Sequence, residues 1–301
     1  MSTEWDMDIR VFIDPIFFGG TISYVMYGTN FGQASWYFRN SKDSWALRVL
    51  VGLICLTETV NAALLLPDMW HFLIRRGLDM PMLEFLLCDH WTMVSQFVPT
   101  ELTCFLVECF FLMRMWRVSS RKLLVFIATA PFVLGWGFNI AYVIGMFKIL
   151  CWPEMMANRP WMFAAYGFRI VSDGCIAITM CVMLFRRRAL ASQYTSSHKM
   201  IRSLIVWTLA TGLLMWVSAI AFIVTYIVMS KSLVSVAVYF IRPRIYATTM
   251  LSLLNHRDSF RAVADETVPL EMREGSAKDE IIEAETAVST VILHKDSSIH
   301  K

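Results

Sequence analysis

The sequence is poor in charge. Asp, Glu, Lys and Arg make up 17% of its 301 residues, against about a quarter in an ordinary soluble domain. That shortage excludes a water-borne globule with a polar shell, and a net charge of +3 is too small to mark a nucleic-acid binder. Several chemistries are missing by motif. There is no His-Glu-x-x-His zinc-protease pair, no Cys-x-x-Cys pair and no phosphate-cradling Walker loop. No Gly-x-Ser-x-Gly turn is present to expose a serine nucleophile. The last apolar stretch has no lysine at its centre, which removes a retinal Schiff base of the microbial-rhodopsin kind. Asn-x-Ser/Thr acceptors for N-linked sugar are absent too. The pattern asks for no metal and no cofactor.

What is there is apolar. Hydrophobic residues reach 57% and mean hydropathy is +0.54. They fill whole windows instead of one helical face, as lipid-exposed helices require. Seven such windows cover roughly 15–36, 47–74, 90–113, 123–147, 162–185, 203–229 and 233–254, each about long enough to cross a bilayer. The expected fold is an all-α, seven-helix transmembrane bundle over 15–254, preceded by a short segment (1–14) and followed by a tail (255–301). The first window is the most polar, with Asn30 and Gln33. The acidic start, MSTEWDMDIR, lacks the basic region of a cleavable signal, so the first window is expected to act as the insertion signal and stay.

Loop cations set the orientation. Eighteen Lys and Arg lie on one side, in the loops around Arg39, Arg117 and Arg187 and in the tail, against six on the other. The rich side should be cytosolic, which puts the N-terminus outside or in a lumen and the tail in the cytosol. The tail carries ten acidic and six basic residues and reads as largely disordered. It and the basic loop 186–202 are candidate contacts for a cytosolic protein partner. The host membrane is the plasma membrane or an endomembrane.

Five segments carry a family resemblance. They are GTISYVMYGTNFGQASWYFRN with KDSWALRVLVGLICLTETVN, then FLMRMWRVS, VSDGCIAITMCVMLFRRR, MIRSLIVWTLATGLLMW and AVYFIRPRIYATTMLSLLNHR. In order and spacing these resemble a fungal family of seven-span membrane proteins catalogued as domain of unknown function 6534. They are scattered over about 15–262. The resemblance implies seven helices and no particular activity. The chain departs from the family at Glu58 and Asn61, where Asp and His are frequent. It departs again at Ala210, where the family often has Asn, and in the last window, where the family usually reads Tyr-x-Asn-Ser and this chain has Tyr246, Ala247, Thr248, Thr249.

Charges inside the windows are the first functional suspects, since each costs about 2.5–3.5 kcal/mol at a helix centre by insertion scales. Counting about 1.5 Å per residue from the cytosolic ends, Glu58 lies roughly 16 Å deep, Glu101 and Asp173 roughly 18 Å, and Glu108 roughly 8 Å. Arg242 and Arg244 fall at roughly 18 and 15 Å, and Arg169 one turn outward of Asp173. Four acids against three arginines suggest mutual neutralisation inside the bundle. Arg169 and Asp173 stand at i and i+4 and can pair on one face. Glu101 and Glu108 share a face that includes Cys104, and Pro99 just before it loosens the backbone. Arg242-Pro243-Arg244 flanks a helix-disrupting proline with two cations that project differently. One can meet Glu58, the other Glu101 or Asp173, as a salt-bridge lock or as an anion or carboxylate site. A break of the last helix at Pro243 is a third alternative.

The remaining polar residues read more plainly. Asn61, Asn139, Thr208 and Thr211 suit interhelical hydrogen bonds. Trp70, Trp91, Trp152 and Trp161 form an interfacial belt. Asp68, His71, Asp89 and His90 read as a solvated outer rim, with a cation held at the outer surface as the alternative. Five cysteines lie within windows as small apolar fillers. Cys88 and Cys151 both fall on the outer side and are a candidate disulfide in an oxidising compartment, placed like the link common in G-protein-coupled receptors.

Three function classes remain open. A receptor-like protein sensing a small molecule or lipid ranks first on architecture, although the Asp/Glu-Arg-Tyr and Asn-Pro-x-x-Tyr motifs of rhodopsin-like receptors are missing. A terpenoid-cyclase-like enzyme using a buried carboxylic acid is second, weakened by arginines that favour the charged form. A proton-coupled or small-molecule transporter is third, and no internal repeat supports it.

Overall fold

A computed structural model describes residues 3–41, 43–73, 91–118, 122–148, 159–190, 195–229 and 232–256. All regular structure in them is helical. The elements are α1 (Thr3–Asn40), α2 (Trp45–Leu73), the short α3 (Trp91–Ser95), α4 (Phe97–Val118), α5 (Lys122–Lys148), α6 (Arg159–Leu190) and α7 (Thr195–Val228). A final helix, α8, covers 234–256. The proposed pair Cys88 and Cys151, the rim residues Asp89 and His90, and the tail beyond 256 lie outside the described residues. The stretch expected as loop 186–202 is mostly helix, because α6 runs on to Leu190 and α7 starts at Thr195.

Among the described residues, four stretches are long and apolar enough to cross a membrane: Trp45–Trp70, Val125–Lys148, Pro160–Val182 and Ala210–Val228. The chain is a multi-pass, all-α membrane protein. The other long helices fall short because they carry polar side chains: Asn30 and Gln33 on α1, Glu101 and Glu108 on α4, Arg242 and Arg244 on α8. Surface and interior are inverted relative to a soluble protein. Phe18, Leu56, Leu66, Ile140 and Ile178 point outward, while Glu58, Glu101, Arg169 and Asp173 are buried. Lipid tolerates the first set and the bundle interior shelters the second.

In chain order α1 packs on α2, α2 on α4, α4 on α5, α5 on α6 and α6 on α7. The last helix goes into the middle. Its side chains or carbonyls bond α1 through Ser23 and Asn30, α2 through Asn61, and α6 through Asp173. At one point its backbone comes close to that of α1. A Cβ placed on Gly19 would lie 2.6 Å from the Cα of Ala237, so only glycine fits, as in small-residue contacts between membrane helices. Pro243 does not break α8, which stays helical from 234 to 256. The third expected window, by contrast, is interrupted by a turn at Gln96. Pro99 explains it: it has no N–H for the Ser95 carbonyl one turn back, and its ring crowds that carbonyl.

The core has two apolar parts with a polar layer between them. One part gathers Ile54, Val107, Phe111, Met180 and Met250. The other gathers Ile16, Leu65, Tyr142, Phe222 and Phe240. On α2, α6 and α8 the charged residues fall between the two: Glu58 between Ile54 and Leu65, Arg169 and Asp173 between Tyr166 and Ile176, Arg242 and Arg244 between Phe240 and Tyr246; on α4 Glu101 does so between Phe97 and Cys104, whereas Glu108 lies inside the first part, beside Val107 and Phe110.

Candidate functional site

The polar layer contains two arginine centres, fed by side chains two residues apart on α8. Arg244 turns toward α1 and α2. Its Nη1 lies 2.8 Å from Glu58 Oε2 and donates to the Glu58 carbonyl at 2.9 Å. Its Nη2 donates to Asn61 Oδ1 at 2.8 Å and its Nε to Ser23 Oγ at 3.1 Å. The Tyr27 ring lies 5.3 Å from the guanidinium carbon, within cation–π range. Asn30 closes the set by donating to the Arg244 carbonyl at 3.0 Å and to Glu58 Oε2 at 3.3 Å. All three nitrogens of this fully buried arginine are thus satisfied, as burial of a charge demands.

The second centre lies among α4, α5, α6 and α8. Arg169 bridges the two carboxylates of α4: Nη1 reaches Glu101 Oε2 at 2.5 Å and Nε reaches Glu108 Oε1 at 2.8 Å. Glu101 and Glu108 are seven residues apart and share one helix face, so one guanidinium can span them. Neutral donors complete the carboxylates. Asn139 gives to Glu101 Oε2 at 3.1 Å, Tyr166 to Glu101 Oε1 at 3.1 Å, and Trp136 Nε1 to Glu108 Oε2 at 3.0 Å. Arg169 also sits over the Trp136 ring at 4.6 Å. It does not turn along its own helix to Asp173, as the i, i+4 spacing had suggested, because two carboxylates across the interface offer it more. Asp173 instead accepts from the Tyr246 hydroxyl at 2.6 Å.

Arg242 enters this centre unspent. It has 0% exposure, yet Nε, Nη1 and Nη2 have no hydrogen-bond partner. Its nearest carboxylate oxygen, Glu101 Oε1, is 3.8 Å from Nη1, beyond hydrogen-bond length. Two aromatic faces flank it, Tyr166 at 5.0 Å and Tyr246 at 5.4 Å. Other polar atoms around it are open as well: Asp173 Oδ1, Arg169 Nη2 and Asn139 Oδ1. Chemically the place offers a planar guanidinium fork, a second open donor and two open acceptors, walled by tyrosine.

The seven charged residues singled out in the sequence therefore form two groups. Glu58 and Arg244 make one; Glu101, Glu108, Arg169, Asp173 and Arg242 make the other. The sequence reading missed the neutral partners: Ser23, Asn30, Trp136, Tyr166 and Tyr246. A signal existed for Asn30, a polar residue inside an apolar window. The tyrosines were not singled out. Asp68 was misread as part of a solvated rim. It is completely buried and accepts hydrogen bonds from Thr92 and Gln96. The turn at Gln96 puts both donors within its reach. Among the described residues, no three His, Cys, Asp or Glu side chains gather in a way that would hold a metal ion.

Comparison with known proteins adds one similarity. Residues 169–259 match a family of unknown function (DUF6534). The match contains Arg169, Asp173, Arg242 and Arg244 and stops short of Glu58, Glu101 and Glu108, so it is narrower than the scattered segments over 15–262. No curated protein and no solved structure matches the chain.

Proposed function

We propose that this is a seven-helix membrane protein with its N-terminus outside or lumenal, and that it senses a small molecule bearing a carboxylate, held by Arg242 in the polar layer. The observation that supports the reading is the unspent guanidinium. A buried donor without an acceptor costs about 1–3 kcal/mol, more when charged. A bidentate carboxylate is the acceptor that fits its planar fork. The same helix carries Arg244, pinned to α1 and α2, so occupancy at Arg242 biases how α8 sits against α4 and α6. A helix held between two arrangements is a standard switching element. Cytosolic loops and the tail would then relay the state to a protein partner.

The test is thermal unfolding of the protein in lipid nanodiscs against a panel of small carboxylates, aliphatic and aromatic, with matching amides as controls. A ligand that binds only the folded state raises the melting temperature as its concentration exceeds the dissociation constant. Wild type should respond to an acid and not to its amide, and folded Arg242→Met should not respond. A panel without any acid-specific shift, or an equal shift in Arg242→Met, overturns the reading. Orientation is checked separately: a protease-sensitive tag before residue 1 should be cut from outside sealed cells or from the lumen, and a tag after residue 301 only from the cytosol.

A further inference from the structure

The second arginine centre does not balance its charge. Three carboxyl groups, Glu101, Glu108 and Asp173, share it with two guanidiniums, Arg169 and Arg242. The acids are held very differently. Glu101 has Arg169 at 2.5 Å and hydrogen bonds from Asn139 and Tyr166. Glu108 has Arg169 at 2.8 Å and a hydrogen bond from Trp136. Asp173 is as buried as they are and makes no ion pair among the described residues. Its single hydrogen bond comes from the Tyr246 hydroxyl to Oδ2 at 2.6 Å, and Oδ1 has no partner. The same tyrosine turns its ring to Arg242, 5.4 Å from the guanidinium carbon, so Tyr246 touches both residues. The other groups here that can titrate are Cys104 on α4, Tyr166 on α6 and Tyr239 on α8. From α5 come Asn139 and Trp136, and α7 lays Trp216 against α6 at Gly174; none of these three carries a charge.

We infer that Asp173 is a proton-binding site governed by Arg242: it takes up one proton when the charge of Arg242 is neutralised and releases it when that charge is free. Neutralising Arg242 leaves three negative charges against Arg169 alone, in a buried layer where charges act strongly on one another. A proton on one carboxyl relieves the excess, and it needs no cavity, since it sits on an oxygen already in place. Of the three acids, Asp173 accepts it at least cost. A proton on Glu101 or Glu108 would weaken an ion pair with Arg169. On Asp173 it breaks nothing, because the Tyr246 hydroxyl can accept a hydrogen bond as well as donate one. While Arg242 is free, its field and the hydroxyl of Tyr246 favour the ionised form. Linkage is reciprocal. An anion that occupies Arg242 brings a proton with it, and a lower pH favours its binding. For the carboxylate proposed above, and this consequence alone rests on that reading, the layer takes up the equivalent of an undissociated acid and its net charge stays the same.

The experiment needs no ligand, so its outcome is separate from that of the carboxylate panel. The full chain in nanodiscs at mildly alkaline pH is measured by infrared difference spectroscopy, in water and in heavy water. Arg242→Met stands in for a neutralised Arg242, and Arg242→Gln replaces it if the first variant does not fold. Relative to wild type, the variant should gain the C=O stretch of one protonated carboxyl per chain, with the downshift in heavy water that an exchangeable O–H gives. Adding Asp173→Asn, which keeps an acceptor for Tyr246, should abolish the gain. A gain that survives Asp173→Asn puts the proton on Glu101 or Glu108 and overturns the inference. So does the absence of any gain in a folded Arg242 variant, whether no carboxyl is protonated or Asp173 already is in wild type.

Discussion

Two arginines, one proline apart on the same helix, live under opposite terms. Arg244 has every nitrogen bonded, to a carboxylate, a carbonyl, an amide and a hydroxyl from three turns of α1 and α2. Arg242 is equally buried and has no hydrogen bond at all. The difference does not come from depth, which the two nearly share. It comes from what faces them. Arg244 meets short, polar side chains at matched height, whereas Arg242 looks onto tyrosine rings and a carboxylate already claimed by Arg169. The contrast shows that a buried charge is no index of structural importance until its donors have been counted.

Mutations break or sharpen that contrast. The largest effect belongs to Arg244→Met, which leaves Glu58 charged, buried and alone. A loss of about 3–5 kcal/mol is expected for removing one partner of a buried pair, measured by reversible unfolding in mixed micelles. Tyr246→Phe comes next. It deletes the hydroxyl donated to Asp173 at 2.6 Å, and about 1.5–3 kcal/mol should go with it, as for a hydrogen bond to a charged group. Gly19→Ala tests the packing that holds α8 against α1. The new methyl meets Ala237 at 2.6 Å, and overpacking of this kind costs about 1–3 kcal/mol. The smallest effect is Arg242→Met. Without ligand it should cost less than the other three, because it gives up a 3.8 Å ion contact with Glu101 and two tyrosine faces but no hydrogen bond. If Arg242→Met were as damaging as Arg244→Met, the two centres would be energetically alike and the comparison would fail.

The sequence made the layer visible and hid its wiring. Hydropathy located the apolar windows, and a count of residues per turn placed Glu58 and Arg244 at one height, where the structure brings them into contact. Rise per residue carries no information about rotation between helices, so it could not tell which arginine faces which acid. The i, i+4 spacing of Arg169 and Asp173 was a local clue that a longer-range partner outcompeted. Pro99 was legible as a disturbance, but its consequence for Asp68 was not. That depends on where α3 lies against α2, and no local pattern encodes it. The tyrosines were the hardest to foresee, since a residue with an apolar body and one hydroxyl looks the same in a sequence whether it fills space or completes a carboxylate.

The central position of α8 also bears on how the protein is made. Ribosomes deliver Glu58 long before Arg244, 186 residues later in the chain. At about 5–20 residues per second that is a delay of roughly 10–40 s. For that interval the bilayer or the insertion machinery has to shelter a carboxyl whose arginine does not yet exist. The bundle cannot close its polar layer helix by helix, and α8, the last of the described helices, is the one that completes it.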